Sequence, residues 1–486
     1  MKKIDLFKIW SLLFPLILII SQIVVQTGCA NIIPPEGGLR DSLPPLLLKA
    51  NPGDSTRNFK GNRISFSFDE FVDLQNVQEN LIVSPIPANT PNINSKLNTV
   101  TVKLKDTLEP NTTYSINFGN AIKDVNEGNV LRQFTYVFST GSHIDSLQIK
   151  GKVLLAETGK PDSTLIVMLH TSNNDSAIIK EKPRYITKLD SSGNFTFRNL
   201  PPATYYLYAL KDEGGSRRYF GDNQLFAFAD KPINTQSQTE AVTLYAFTGV
   251  KEETKSQSQP VSTNTNLQGL GFGNRNRPNP AAEKRLRYQT NLTNNQQDLL
   301  GDFIFSFDVP LKLFDTSKIH LYTDSTFIPV TGYSFAKDST NKKVQLITPW
   351  KEATLYHLIL DKDFAEDTLG KKLLKTDTLN FITNKTADYG SLKLKLHGLD
   401  LSKNPVLQFV SNNTLVRSFP LTSEDFSQAL FLPGEYELRI LFDENKNGKW
   451  DTGEFFDKHR QPEIVKPISR QINIKKSWQN EFDIIL

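Results

Sequence analysis

The chain has 486 residues, with 56 Lys and Arg mixed among 52 Asp and Glu for a formal charge of +4. No basic cluster is written into it, which argues against a nucleic-acid partner. A single cysteine excludes an intramolecular disulfide framework. The length suits about three or four domains.

Lys2 and Lys3 precede an apolar run from Leu6 to Val25, and Thr27-Gly28 stand before Cys29, the only cysteine. A basic start, an apolar core and small residues ahead of a cut site read as a secretory signal over residues 1–28. Thr27-Gly28-Cys29 resembles the bacterial lipobox, with Gln26 where Leu is usual. The resemblance implies a covalent lipid on Cys29 and a membrane partner held through that anchor. An uncleaved transmembrane anchor is the alternative, since the run is nearly long enough to span a bilayer. Residues 29–45, with Pro34-Pro35, Gly37-Gly38 and Pro44-Pro45, read as a tether. By resemblance to gram-negative lipoproteins, Ala30 after the cysteine gives no inner-membrane retention signal. An outer-membrane lipoprotein is expected, facing either the periplasm or the surface.

The rest of the chain reads as all-β, in tandem β-sandwich modules. In residues 46–141, Ile64, Phe66 and Phe68 alternate with Ser65, Ser67 and Asp69, the period of a half-buried strand. Val100, Val102 and Leu104 repeat it, as do Tyr114, Ile116 and Phe118, before a closing strand at Thr135 to Phe138. The Phe66–Asp69, Pro110–Tyr114, Lys123–Asn129 and Phe138–Gly141 stretches resemble the bacterial Ig-like module of S-layer and envelope lipoproteins. In residues 142–250, Gly151-Lys152-Val153, Asp190 to Phe195 and Leu200 to Tyr205 resemble the prealbumin-like sandwich found as a regulatory domain of carboxypeptidases. Ala203 departs from that family's turn glycine, and the resemblance carries over no catalytic residue.

Residues 251–283 are rich in Ser, Gln, Asn, Thr, Gly and Pro, and read as a disordered linker. After it the chain repeats itself. Phe305-Ser306-Phe307-Asp308 copies Phe66 to Asp69, Tyr356 answers Tyr114, and Asp367 to Gly370 answers Asp124 to Gly128. Residues 284–385 are thus a second Ig-like module. Leu432 to Tyr436 matches Leu200 to Tyr205, so residues 386–486 are a second prealbumin-like module. The expected architecture is two such pairs separated by the linker, cut by protease between Lys251 and Arg285 into two resistant halves.

Catalytic signals are weak. The six histidines show no metal-ligand spacing, and no nucleophile elbow occurs. Asp69 and Asp308 stand in separate copies of a structural module. Tyr205, Tyr206 and Tyr208 alternate as strand core residues do, rather than as a sugar platform. Asp followed by Ser or Thr and a small or aliphatic residue recurs at Asp41, Asp54, Asp106, Asp145, Asp162, Asp175, Asp324, Asp338, Asp367 and Asp377. The triplet resembles an envelope O-glycosylation site, and it equally suits Asx-turn chemistry.

The sharpest motif runs from Asp443 to Glu454 and fits D-x-[DN]-x-[DN]-G-x5-E. Asp443, Asn445 and Asn447 offer side-chain oxygens at loop positions 1, 3 and 5, and Gly448 allows the sharp turn. Lys449 offers a carbonyl, Asp451 ligates directly or through water, and Glu454 closes the shell, a set suited to structural Ca²⁺. Tyr436, Leu438, Ile440 and Phe442 alternate before it, so the loop leaves a strand and not an EF-hand helix. A plain Asn-Gly hairpin with Trp450 packed on the sheet is the competing reading. These signs lead to a non-enzymatic cell-envelope lipoprotein, a spacer, scaffold or adhesion-type surface whose protein or glycan partner is unknown. The alternative is a glycan- or peptide-binding accessory of nutrient uptake.

Overall fold

The computed structural model describes residues 41–237, 240–249 and 285–486. The expected signal peptide, Cys29, most of the expected tether and the expected linker at 251–283 lie outside the described residues. No described helix is long and apolar enough to cross a membrane. The chain divides into two compact units, one ending at Ile144 and the other spanning Asp145–Leu486.

The first unit is a β-sandwich. One sheet orders Leu47–Asn51, Arg63–Phe68, Thr99–Lys103 and Asn92–Lys96, all antiparallel, and a second orders Thr135–Ser139, Thr113–Asn117 and Ile82–Ser84. The period-two residues fill the space between them: Ile64, Phe66, Phe68, Val100, Val102, Ile116 and Phe118 are buried. Phe66 meets Phe118, Phe134 and Tyr136 edge-on at 5.5, 5.2 and 5.1 Å. Each such contact adds about 0.5–1.5 kcal/mol to the gain from removing the rings from water.

The third module repeats this plan. Tyr288–Thr290, Phe303–Phe307, Lys343–Ile347 and Ser334–Lys337 form a sheet in the same antiparallel order. The second and fourth modules share another plan. In the second, Leu147–Leu155 pairs antiparallel with Asn194–Leu200 and parallel with Val242–Ala246. In the fourth, Gly390–His397 pairs antiparallel with Asp425–Phe431 and parallel with Gln479–Ile485. The facing sheets order Tyr185–Lys188, Leu165–His170, Thr204–Lys211 and Phe226–Phe228 in one, and Thr414–Pro420, Pro405–Ser411, Gly434–Phe442 and Ile464–Ile474 in the other. In the second module Gly151 is required between its two neighbouring strands, because a Cβ there would meet the Val242 carbonyl at 2.1 Å and the Phe195 ring at 2.4 Å. Tyr205 is buried in the sandwich core with Leu207 and Ala209, whereas Tyr208 lies on the opposite face of the strand and is buried against Phe226 and Phe455.

The expected pairing of modules is corrected. The second, third and fourth modules belong to one unit, and the second docks on the fourth. Phe455 is buried against Tyr208, Phe226 and Phe228 at 5.7, 5.2 and 5.0 Å, and Phe456 lies 5.6 Å from Tyr219. Polar contacts frame the rings. His459 Nε2 is 2.8 Å from Asp175, the Val465 N–H donates to the Ala156 carbonyl at 2.9 Å, and Lys160 meets Glu437 at 2.8 Å. The third module joins through Arg417, which donates to the Leu300 carbonyl at 2.7 Å, and through Tyr389, which donates to Asp298. Module boundaries read along the sequence hide this, since nothing in a strand pattern says which faces meet.

Candidate functional site

Two tyrosines show that the first and third modules are copies down to single hydrogen bonds. The Tyr114 hydroxyl accepts from the Glu109 N–H at 2.9 Å, and Tyr356 accepts from the Lys351 N–H at 3.2 Å, each five residues upstream. Thr140 Oγ1 donates to the Glu109 carbonyl and accepts from the Thr112 N–H, as Thr383 Oγ1 does with Lys351 and Thr354. Buried Asp124 accepts three N–H groups, from Glu127, Gly128 and Asn129, at 2.6–2.7 Å. Burial pushes its carboxyl up, but those bonds outweigh it and leave the pKa lowered. Asp367 accepts likewise from Leu369 and Lys371. These motifs therefore close the sandwich ends; their polar groups are spent on the backbone.

This bonded frame agrees with comparison to known families, in which residues 41–140 match the model described as "Bacterial Ig-like domain". The first unit carries a bacterial Ig-like domain. No curated protein matches the chain. Among solved structures, the chain is similar to the Bacillus anthracis TIE protein, at 12% identity over 93% of this chain and 75% of that one, with a TM-score of 0.16. It is also similar to the N-terminal part of the bacterial S-layer protein SbsC, at 13% identity over 42% of this chain and 44% of that one, TM-score 0.16. Similarity to BcpA, the major pilin subunit of Bacillus cereus, is 9% over 70% of this chain and 99% of that one, TM-score 0.15. Likenesses of this size carry no functional argument.

Near the Ig-like domain's Asp124, the carboxylates of Glu70 and Glu127 come within 4.8 Å of it and of each other. Burial, followed by the charges of Asp124 and Asp69, pushes the Glu70 carboxyl up. Three of the Asp-Ser/Thr triplets sit in turns: Asp41, Asp162 and Asp367 each accept the N–H two residues on at 2.9 Å.

The candidate cation site is the loop after the strand Gly434–Phe442, whose buried Tyr436, Leu438 and Ile440 hold it against the fourth module's core. Asp443 is 2% exposed; its Oδ2 accepts the Gly448 N–H at 2.6 Å and its Oδ1 the Asn447 N–H at 3.2 Å. Gly448 has φ +74°, the sharp turn expected of it. Asn445 and Asn447 each donate from Nδ2 to Asp451 Oδ2 at 2.6 Å. Asp443, Asn445, Asn447 and Asp451 thus belong to one bonded loop. Lys449 sits in it too, its N–H donating to Asn447 Oδ1 at 2.7 Å. A cation held here needs both amides turned so that oxygen faces inward, a rotation that exchanges the two ends of each amide.

Glu454 is placed differently from the motif reading. Its carboxylate pairs with Lys458 Nζ at 2.9 Å and its backbone bridges Arg460, so it does not close the shell. The carboxylate bonded to the loop is Glu463, buried at 6% exposure. Its oxygens accept the Glu444 and Asp451 N–H groups at 2.8 and 2.9 Å. Burial raises its pKa first; those two N–H groups oppose the rise, and the Asp443 and Asp451 charges add to it. No motif spacing points to Glu463; its one signal is an acidic residue between Pro462 and an apolar strand. Trp450 packs against Val406, Leu441 and Val465, and its indole N–H donates to the Glu463 carbonyl at 2.7 Å. The donor set is hard and oxygen-rich, which fits Ca²⁺ better than a transition metal.

The second module keeps the turn and loses the donors. Asp212 Oδ2 accepts the Arg217 N–H at 3.1 Å, the same offset as Gly448 from Asp443, and Ser216 Oγ donates to Oδ1 at 3.3 Å. Gly214 stands where Asn445 stands in the fourth module.

Proposed function

We propose that this chain is a non-enzymatic envelope lipoprotein, tethered through Cys29, that serves as a multi-module scaffold or adhesion-type spacer. The observation that carries this reading is the docking of the second module on the fourth. Thr452 Oγ1 donates to the Thr248 carbonyl across a sequence separation of 204 residues, beside the Phe455 ring cluster. Tandem sandwiches joined only by linkers bend at every joint, whereas this contact makes an arm from several modules. The Asp443 loop leads directly into the docking segment, so Ca²⁺ held by Asp443, Asn445, Asn447 and Asp451 would stiffen the arm where it is joined.

Two measurements on cells test this. Mass spectrometry of the mature N-terminus should find a lipid-modified Cys29, and an intact Met1 peptide in the membrane fraction would remove the lipid anchor. Crosslinking of intact envelopes should recover a defined envelope protein in fixed ratio. Saturable glycan binding that is blocked by free sugar, with no protein partner crosslinked, would replace the scaffold reading with nutrient capture.

A further inference from the structure

A cleft of about 900 Å³ opens in the Asp145–Leu486 unit where Trp450 of the fourth module approaches the second. Its described lining includes Glu157, Asp162, Asp212, Glu213 and Asp222; the charge of Arg217 acts on Asp212, and one ammonium, that of Lys211, lies among the described lining residues. That ammonium lies 3.3 Å from Glu213 and offsets only part of the charge. Two aromatic side chains in the lining reach solvent, Phe220, which is 75% exposed, and half-buried Trp450.

The walls are held in place. Gln224 donates from Nε2 to the Lys211 carbonyl at 2.7 Å and accepts the Phe220 N–H at 2.9 Å, which ties the Phe220 turn to the strand end. Tyr219 OH donates to Asp222 Oδ1 at 2.9 Å, and the Gly249 N–H donates to the Asp222 carbonyl at 2.7 Å. Trp450 is oriented by its bond to the Glu463 carbonyl. A cleft of this size holds a ligand of several residues.

Carboxylates interleaved with aromatic faces recognise cations, by charge-assisted hydrogen bonds and by attraction to the ring quadrupole. Arginine satisfies both at once, because its planar guanidinium stacks on a ring while its edge forks to a carboxylate. A neutral sugar would use the rings but gains nothing from so one-sided a charge. We propose that this cleft binds an arginine- or lysine-bearing peptide segment of a partner protein, its cations on the carboxylates and its side-chain planes against Phe220 and Trp450. The site goes beyond the scaffold reading and does not depend on the lipid anchor or on Ca²⁺.

The test is calorimetric titration of the full chain with tetraarginine, with tetraglycine, tetraglutamate and an N-acetylglucosamine tetramer as comparators. Tetraarginine should bind with a Kd of roughly 10–100 µM, and the affinity should fall several-fold as salt rises from about 0.05 to 0.5 M. Glu157→Gln with Glu213→Gln should weaken binding about tenfold, because two carboxylates go and Lys211 loses its partner. Phe220→Ala should weaken it about threefold to fivefold with the salt dependence kept. All three positions are exposed, and an unchanged melting temperature separates lost binding from lost folding. Failure of tetraarginine to bind, binding indifferent to these variants, or binding of the sugar tetramer in its place would overturn the proposal.

Discussion

His170 ends the strand Leu165–His170 with its side chain buried, 5.7 Å from and edge-on to the Tyr208 ring. Desolvation pushes its pKa down to about 4. An unfolded histidine titrates near 6.5, so the folded state resists taking the proton. The stability this contributes is present above about pH 6.5 and is lost as pH falls from there to about 4, at about 1.4 kcal/mol per unit, ~3 kcal/mol in all. Urea midpoints should therefore drop between pH 7 and pH 4.5, and His170→Leu should flatten that drop. The lowered carboxyl of Asp124 acts lower on the scale, its contribution being present above the ordinary Asp value and lost below it. At this scale the sequence was most informative where the signal was periodic. Ile64, Phe66, Phe68, Val100 and Val102 are core because strands alternate, and Tyr114 and Tyr356 repeat because the module does. His170 was no different on paper from the other five histidines; only packing made it buried.

At the scale of the element, the loop from Asp443 shows how far a motif reaches. Its first turn, with Gly448 at positive φ and Asp443 accepting two N–H groups, follows from the local pattern. Its closure does not, because Glu454 is drawn to Lys458 while the strand Ile464–Ile474 brings Glu463 up from farther along the chain. With Ca²⁺ affinity in the range of about 10⁻⁴–10⁻³ M typical of extracellular modules, 10 mM Ca²⁺ should stabilise the unit by about 1.4–2.7 kcal/mol. Thermal melts with Ca²⁺ and with chelator should differ accordingly, and Asp443→Ala should erase the difference. Glu454→Gln should leave it in place, since that carboxylate is already paired with a lysine. A melt of the unaltered chain that ignores Ca²⁺ would remove the metal from the account. The raised Glu463 adds a pH signature in chelator. Its protonation favours the folded state, so this contribution is present below the ordinary Glu value and is lost as pH rises through the elevated one.

At the scale of the molecule, the all-β class and the internal repeat were readable, but the arrangement of modules was not. The paired topology of the second and fourth modules follows from their shared turn sequences. Their docking depends on Phe455, Phe456 and His459, which lie beyond the last recognisable motif and before the final strand pair, where no periodicity marks a contact face. Cutting Phe455 back to alanine removes a buried ring, a change that costs about 3–5 kcal/mol in a packed site. The most direct measurement is to cut the chain once by protease between Lys251 and Arg285 and run the product on native size exclusion. The account predicts that the fragments travel together under native conditions and part in denaturant, and that Phe455→Ala makes them part without it. Immediate separation of the unaltered fragments would contradict a scaffold locked through its second and fourth modules.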